Sequence, residues 1–394
     1  MHAEKVKDGI YWVGALNPDL RRFDVIMKTR WGTSYNSYLI KGSEKVALVD
    51  VVKEKYAEEH IAHISELVDP AKIDYIISNH TEPDHSGSLA KLLAVARNAT
   101  VVCSKVAHGF LKNITNLDFT CMEVGDGDKL DLGGKTLEFL SVPFLHWPDS
   151  IFTYAREDKM LFSGDMFGFH FAAEKVFDDL TMLDDEMVKS QKYYFDVIMS
   201  PFKSYVLEAV EKLKNLSIEI IGPSHGPVLR GDPQGAVERY YEWAKDSLSE
   251  NNPRKAYVGY VSCYGYTKKL AEKVYEGMIK NGLSAEIEDI SLITPGEAAQ
   301  KLQEADVFAI GTPTVNRDAL KPIWDVASLL CSYVMKGKRC GVFGSFGWSG
   351  EGVKFIKERL SNLGVKVEDT LSVKFNPTED DLQRAYELGE LLSK

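Results

Sequence analysis

Four of six consecutive residues in His80-Thr81-Glu82-Pro83-Asp84-His85 carry metal-ligating atoms. The hexapeptide follows an apolar stretch, Ile73–Asn79, that reads as a strand, so its chemistry sits at a strand end. Alternate side chains of an extended segment share a face. His80, Glu82 and Asp84 are therefore expected to converge, with His85 following where the chain turns toward a helix. Three more candidates stand just past apolar strands: His146 in Pro143-Phe144-Leu145-His146-Trp147-Pro148-Asp149, Asp165 in Ser163-Gly164-Asp165, and His225 in Gly222-Pro223-Ser224-His225-Gly226-Pro227. A lone histidine of this kind is ordinarily a packing or surface residue. Seven such residues at strand ends can gather along one rim, and they form a candidate metal-ligand set. Four imidazoles and three carboxylates nearly balance two divalent ions, and a mixed His–carboxylate set with open positions suits iron. His170, Tyr193 and Tyr194 are candidates to donate protons or hydrogen bonds on the substrate side, and Asp149 and Ser150 to orient a metal-bound imidazole.

A second constellation lies in the C-terminal third. Ser262-Cys263-Tyr264-Gly265-Tyr266-Thr267 follows an apolar strand and precedes a helix, where hydroxyls and backbone N–H groups can hold one phosphate. No G-x-G-x-x-G or G-x-x-x-x-G-K-[ST] occurs there, so neither a dinucleotide nor a nucleoside triphosphate is indicated. Two further strand-end loops, Thr312-Pro313-Thr314-Val315-Asn316 and Ser345-Phe346-Gly347-Trp348-Ser349-Gly350, complete the set. Loops at the carboxyl ends of a doubly wound sheet receive the ligand, and flavodoxin-like folds bind FMN there. The glycines let backbone approach a flat ring, and Trp348 can lie against isoalloxazine.

The elements that position these residues change rhythm along the chain. Apolar or alternating stretches at Gly9–Val13, Tyr35–Ile40, Val46–Asp50, Ile73–Asn79, Thr100–Cys103, Leu137–Val142, Ile151–Ala155 and Met160–Ser163 read as strands, and Tyr56–Val68 as a helix. This suggests an α/β sandwich of two sheets with helices outside. After residue 250 strands alternate with helices: Ala256–Val261, Thr267–Gly282, Ala285–Asp289, Val307–Gly311, Lys338–Gly344, Gly352–Leu363, Lys366–Val373 and Asp380–Leu392. That order predicts a doubly wound parallel sheet. The polar, proline-bearing seam Ser249-Glu250-Asn251-Asn252-Pro253-Arg254-Lys255, following a helical Gln234–Ser247, divides the chain into domains expected at 1–250 and 254–394.

Bulk properties exclude other classes. The 394 residues suffice for two domains, with 44% hydrophobic and 27% charged residues, as in globular proteins. No apolar run approaches a bilayer span, and no signal peptide is read. A net charge of −11 argues against a nucleic-acid partner. The five cysteines form no C-x-x-C, which fits a reducing cytoplasm and argues against a four-cysteine iron site.

The spacing His80-x-Glu82-x-Asp84-His85, then His146, Asp165 and His225, resembles the metallo-β-lactamase superfamily, with Glu82 where its hydrolases carry a second histidine. With that exchange, and with Tyr264-Gly265 in the phosphate loop, the chain resembles the flavodiiron proteins over nearly its whole length. The resemblance implies an N-terminal metallo-β-lactamase-like αββα sandwich and a C-terminal flavodoxin-like domain. It implies one iron on His80, Glu82 and His146, a second on Asp84, His85 and His225, and Asp165 bridging. It also implies reduction of dioxygen to water, nitric oxide to nitrous oxide, or both. Electrons would pass through FMN from an external donor, rubredoxin or a reduced deazaflavin. A head-to-tail homodimer, or a dimer of dimers, would set one chain's flavin beside its partner's irons. The competing reading is a zinc-dependent hydrolase of the metallo-β-lactamase class fused to a flavin domain. Glu82 opposes it, and hydrolysis gives FMN no task.

Overall fold

The computed structural model describes residues 2–24, 27–172, 175–180, 184–245 and 254–394. The chain divides into two compact α/β units, 1–248 and 249–394. The stretch 246–253, which holds most of the polar seam and the end of the helix expected at Gln234–Ser247, lies outside the described residues.

The N-terminal unit is built on two sheets. The first runs in chain order: β1 Glu4–Lys7, β2 Ile10–Trp12, β3 Tyr38–Lys41, β4 Val46–Val49, β5 Tyr75–Ile77, β6 Thr100–Cys103 and β7 Cys121–Glu123. Hairpin partners β1 to β4 pair antiparallel, and β4 to β7 pair parallel. The second sheet comprises β8 Lys129–Asp131, β9 Thr136–Ser141, β10 Ile151–Ala155, β11 Met160–Gly164 and β12 Ile220–Pro223. All its pairings are antiparallel except the parallel β11–β12 pair. Trp12, Tyr38, Ile77, Phe139 and Phe162 interdigitate between the sheets, each contributing roughly 1.5–3 kcal/mol of burial free energy. Apolar faces of helices close both outer surfaces. Ile64 of α1 (Ala57–Ser65) and Leu111 of α2 (Lys105–Thr115) cover the first sheet. Val206 and Ala209 of α3 (Lys203–Leu213) and Tyr240 of α4 (Pro233–Lys245) cover the second. This is the αββα sandwich the strand pattern implied. β5 runs parallel to β4 and β6, and β11 runs parallel to β12, so within each sheet the loops after these strands share one end.

One expected strand, Tyr35–Ile40, is broken. Thr33–Tyr35 pairs with Ala15–Asn17, whereas Tyr38–Lys41 joins the main sheet. The break falls at Asn36, whose backbone N–H donates to Ser224 O at 2.9 Å and whose amide donates to Pro223 O and Gly226 O at 2.7 and 2.8 Å. The strand is interrupted in order to hold the loop that carries His225.

The C-terminal unit is a five-stranded, wholly parallel sheet: β13 Lys255–Tyr260, β14 Ser284–Asp289, β15 Val307–Gly311, β16 Arg339–Phe346 and β17 Lys366–Lys374, in spatial order β14-β13-β15-β16-β17. Helices at Tyr266–Ile279 and Glu379–Ser393 pack on one face, and those at Pro295–Glu304, Lys321–Leu329 and Glu351–Asn362 on the other. The order reverses between β13 and β15, which is the switch point where such folds bind their ligand. Among the described residues no helix is long and apolar enough to cross a membrane.

Candidate functional site

The metal-ligand hexapeptide changes conformation midway, and that change sorts its side chains. His80 and Glu82 follow β5 in extended backbone, with Glu82 at φ −53°, ψ 136°. Pro83, its φ preset for a first helical position, starts the short helix Pro83–Ser86 and swings Asp84 and His85 to a different direction. The alternation expected from His80 through Asp84 therefore stops at Glu82. Two groups form instead: His80, Glu82, His146 and Asp165, and Asp84, His85 and His225. All seven are at most partly exposed.

Asp165 lies between the groups. Its Oδ2 is 2.9 Å from His146 Nε2 and 3.6 Å from His80 Nε2, while its Oδ1 is 3.5 Å from His85 Nε2 and 3.9 Å from His225 Nε2. In the first group His146 Nε2 stands 2.9 Å and His80 Nε2 3.8 Å from Glu82 Oε2. In the second, Asp84 Oδ2 is 3.2 Å from both His85 Nε2 and His225 Nε2, which are 3.1 Å apart. A metal about 2.0–2.2 Å from each N or O donor sets those donors about 3–3.5 Å from one another. The observed separations are thus close to edges of coordination polyhedra. His80 Nε2, both Asp84 oxygens and Asp165 Oδ1 are buried without a hydrogen-bond partner, a condition that proteins tolerate where an ion completes the site. The donor set fits two divalent ions.

Burial alone would depress the imidazoles and raise the carboxylates, but mutual attraction overrides it. His80 is pushed up to about 10 by Asp165 and Glu82, and His146 to about 9 by the same two groups. His225 is also raised, through Asp84 and Asp165. Glu82 is drawn down to about 2 by His146 and His80, and Asp84 and Asp165 lie well below the usual carboxylate range. Behind the pair, buried Asp50 is raised to about 6 by desolvation, opposed by His80 and His85, and accepts the Asn79 N–H at 2.7 Å.

His225 is oriented from a distant part of the chain. Its Nδ1–H donates to Ser34 O at 2.7 Å, which leaves Nε2 for a metal. Gly226 has φ +80°, and a Cβ there would meet Phe169 O at 2.6 Å, so only glycine lets the loop close. Thr33 Oγ1 lies 2.9 Å from His170 Nδ1 and 3.3 Å from His225 Nδ1. Burial, and then the neighbouring His225, hold His170 well below the ordinary imidazole range. Its ring stacks on Phe23 with centroids 4.3 Å apart, and Tyr194 packs edge-on at 5.1 Å. His170 and Tyr194 thus both lie beside the His225 ring, at 4.7 and 6.2 Å between centroids. Tyr193, on the next position of its helix, faces out at 42% exposure, its hydroxyl accepting the Lys28 N–H. Ser150 Oγ donates to Leu145 O and Trp147 O, supporting the backbone around His146 rather than its ring. Asp149 is buried without a hydrogen bond to its carboxylate. Phe23, Asp24, Tyr35 and Lys53 surround the same pocket and were not singled out in the sequence. Lys53 Nζ lies 5.9 and 6.0 Å over the Phe23 and Tyr35 rings, and Asp24 is raised by burial and by Glu82 and Asp84.

In the C-terminal unit all three expected loops stand at the carboxyl ends of β13, β15 and β16. Ser262 Oγ accepts the Lys268 N–H at 3.3 Å, and Thr267 Oγ1 and Ser345 Oγ lie 2.9 Å apart, tying the first loop to the third. Thr312 Oγ1 donates to Pro313 O, and Thr314 Oγ1 accepts the Gly352 N–H at 3.1 Å. Asn316 and Arg317 form the two-residue tip of a hairpin, Thr314–Val315 against Asp318–Ala319. Cys263 is exposed; Tyr264 and Trp348 are 85% and 90% exposed. Trp348 is thus no core tryptophan, and its ring is available to a planar ligand.

Comparison with known proteins agrees with both units. The ODP family beta lactamase model matches residues 33–226 and the flavodoxin model residues 258–389. A flavo-diiron protein of Clostridium acetobutylicum is 42% identical over 401 residues, covering 100% of each chain. A nitric oxide reductase of Moorella thermoacetica is 34% identical, covering 98% of this chain and 97% of its own. The rubredoxin oxygen:oxidoreductase of Desulfovibrio gigas superposes with a TM-score of 0.72 at 30% identity, over 100% of this chain and 98% of its own. A relative matched from end to end, with the two expected folds in the expected order, shows that the chain belongs to the flavodiiron proteins.

Proposed function

We propose that this protein is an oxidoreductase that reduces dioxygen to water, nitric oxide to nitrous oxide, or both, at a non-haem diiron site fed with electrons through FMN. The observation that carries the reading is the sharing of Asp165 between two donor groups, one containing Glu82. We assign His80, Glu82 and His146 to one iron, Asp84, His85 and His225 to the other, and Asp165 to both. Bound there, the irons would offer open positions and electrons to a diatomic substrate, and FMN would supply further electrons.

The chain's own groups do the rest. Ser34 O fixes the His225 tautomer, so that Nε2 faces the metal position. Tyr194 is buried beside Asp165, and burial together with that charge keeps its hydroxyl protonated, as a hydrogen-bond donor on the substrate side. His170 stays neutral, with Nε2 unpartnered in the same pocket. The packed rings of Phe23, His170 and Tyr194 limit water around the reacting atoms. We assign Ser262–Thr267, Thr312–Asn316 and Ser345–Gly350 to FMN, and read the functional domains as 1–250 and 254–394.

The donor is read as a rubredoxin-type protein, by analogy with the Desulfovibrio relative, with reduced deazaflavin as the alternative outcome of a donor assay. A head-to-tail homodimer and a cytoplasmic location complete the reading, the latter supported by five unpaired thiols. The test is metal and flavin content of one preparation, followed by anaerobic nitric oxide and dioxygen turnover. Near two irons and one FMN per chain, with turnover of either gas, is expected. Two zincs from iron-replete cells, with neither gas consumed, would favour the hydrolase and overturn the role given to Glu82.

A further inference from the structure

The turn after β17 has no part in the flavin site as assigned above. Phe375 stands there at φ +56°, a region that bulky L-residues rarely occupy. Its side chain is 57% exposed, so core packing does not explain the conformation. What holds it is a set of ties to two flavin loops. The Phe375 N–H donates to Phe346 O at 2.7 Å. The Phe375 ring lies against Gly347, where an added Cβ would stand 3.1 and 3.2 Å from Cε1 and Cζ, so glycine makes the close approach possible. The next residue, Asn376, accepts at Oδ1 from Lys269 Nζ at 2.9 Å. Lys269 lies in the first turn of the helix Tyr266–Ile279, whose start is the one assigned above to the flavin phosphate. The Thr267–Ser345 contact joins these two loops at their base, and the turn joins them near the surface.

Strain held in place by neighbouring loops, at an exposed aromatic, is characteristic of ligand sites. We propose that the Phe375–Asn376 turn is a fourth element of the flavin site. Phe375 is a positioning residue that holds the 346–350 loop, and with it the exposed Trp348, in the form that receives the isoalloxazine. Asn376 fixes the phosphate-binding helix start through Lys269. This inference rests on the FMN reading above.

The test uses the full-length chain, freed of flavin and titrated with FMN, in native form and as Phe375→Gly, Phe375→Ala and Phe375→Tyr. Glycine adopts positive φ without penalty, so Phe375→Gly should melt, without flavin, at or above the native temperature. Its FMN Kd should nevertheless rise about tenfold, as should that of Phe375→Ala, with Phe375→Tyr within about twofold of native. The visible circular dichroism of the bound flavin should change in the Gly and Ala proteins and be preserved in Tyr. Unchanged Kd values in Gly and Ala would overturn the proposal. So would a Gly variant whose melting temperature falls along with its affinity, which would mark a purely structural turn. A native chain that bound no FMN would remove the underlying reading as well. A native chain that binds, with indifferent variants, removes this inference alone.

Discussion

Loading the site with metal should release protons, and the two halves should differ in how steeply they respond to pH. In the metal-free chain His80 and His146 titrate at about 10 and about 9, so both rings are protonated near neutrality. A metal at that half must displace both protons. Between pH 6.5 and 9 the apparent affinity of that half for a divalent ion should therefore climb about a hundredfold per pH unit, with about two protons released per ion at pH 7. The other half holds one carboxylate of its own, Asp84, against two in the first, with His225 raised through Asp84 and Asp165, so its slope should be shallower. At pH 6.5 the ion taken up first should occupy Asp84, His85 and His225. A raised imidazole stabilises the metal-free fold fully below its unfolded value of about 6.5, and that contribution is lost as pH rises through 9 to 10. The metal-free melting temperature should thus fall over the range in which metal affinity rises. Cobalt(II) titration, read by its visible spectrum in weak buffer with a pH indicator, measures stoichiometry, slope and proton count together. Release of fewer than about one proton per first pair of ions, or identical slopes for the two halves, would refute the charge reasoning.

Glu82→His should raise zinc content at the expense of iron and lower gas turnover at least about tenfold, because it removes one of three carboxylates that stabilise iron; metal analysis with an oxygen electrode checks this. Thr33→Val leaves the buried His170 Nδ1 without its 2.9 Å partner and should cost about 1–3 kcal/mol in denaturant unfolding. Trp348→Ala removes a ring that is 90% exposed, so unfolding should change by less than about 0.5 kcal/mol. Its FMN Kd, read by fluorescence titration, should rise up to about tenfold through lost ring stacking.

The strand ends were legible because buried strands advertise themselves. Val307–Gly311 is an unbroken apolar run, Ile151–Ala155 is interrupted only by Thr153, and both fold as read. The helix Pro295–Glu304 carries a local signal of its own: Thr294 and Glu297 form a capping box, with Pro295 at the first helical position. Other features have no local signature. That Asp84 parts from Glu82 follows from the helical turn begun by Pro83, which periodicity in an extended frame does not register. The support of His225 by Ser34 and Asn36 spans about 190 positions. Asn36 sits inside a sequence that scans as continuous strand, and its side chain becomes meaningful only once β12 is in place. Phe375 likewise reads as an ordinary strand-end aromatic until its backbone is seen.

The strap from Thr33 to Asn36 also bears on the order of events during synthesis. A ribosome delivers the strap first, the 80–85 hexapeptide next, and His225 about 140 residues after His85. At 5–20 residues per second that interval is on the order of ten seconds. At its start the hexapeptide offers two histidines and two carboxylates, and neither donor group is complete. His146 and Asp165 must emerge to close one, and His225 to close the other. Asn36 meanwhile waits for Pro223 and Gly226. Capture of the second ion is thus deferred until the N-terminal domain has almost entirely emerged, so that the finished sandwich, rather than the growing chain, completes the pair.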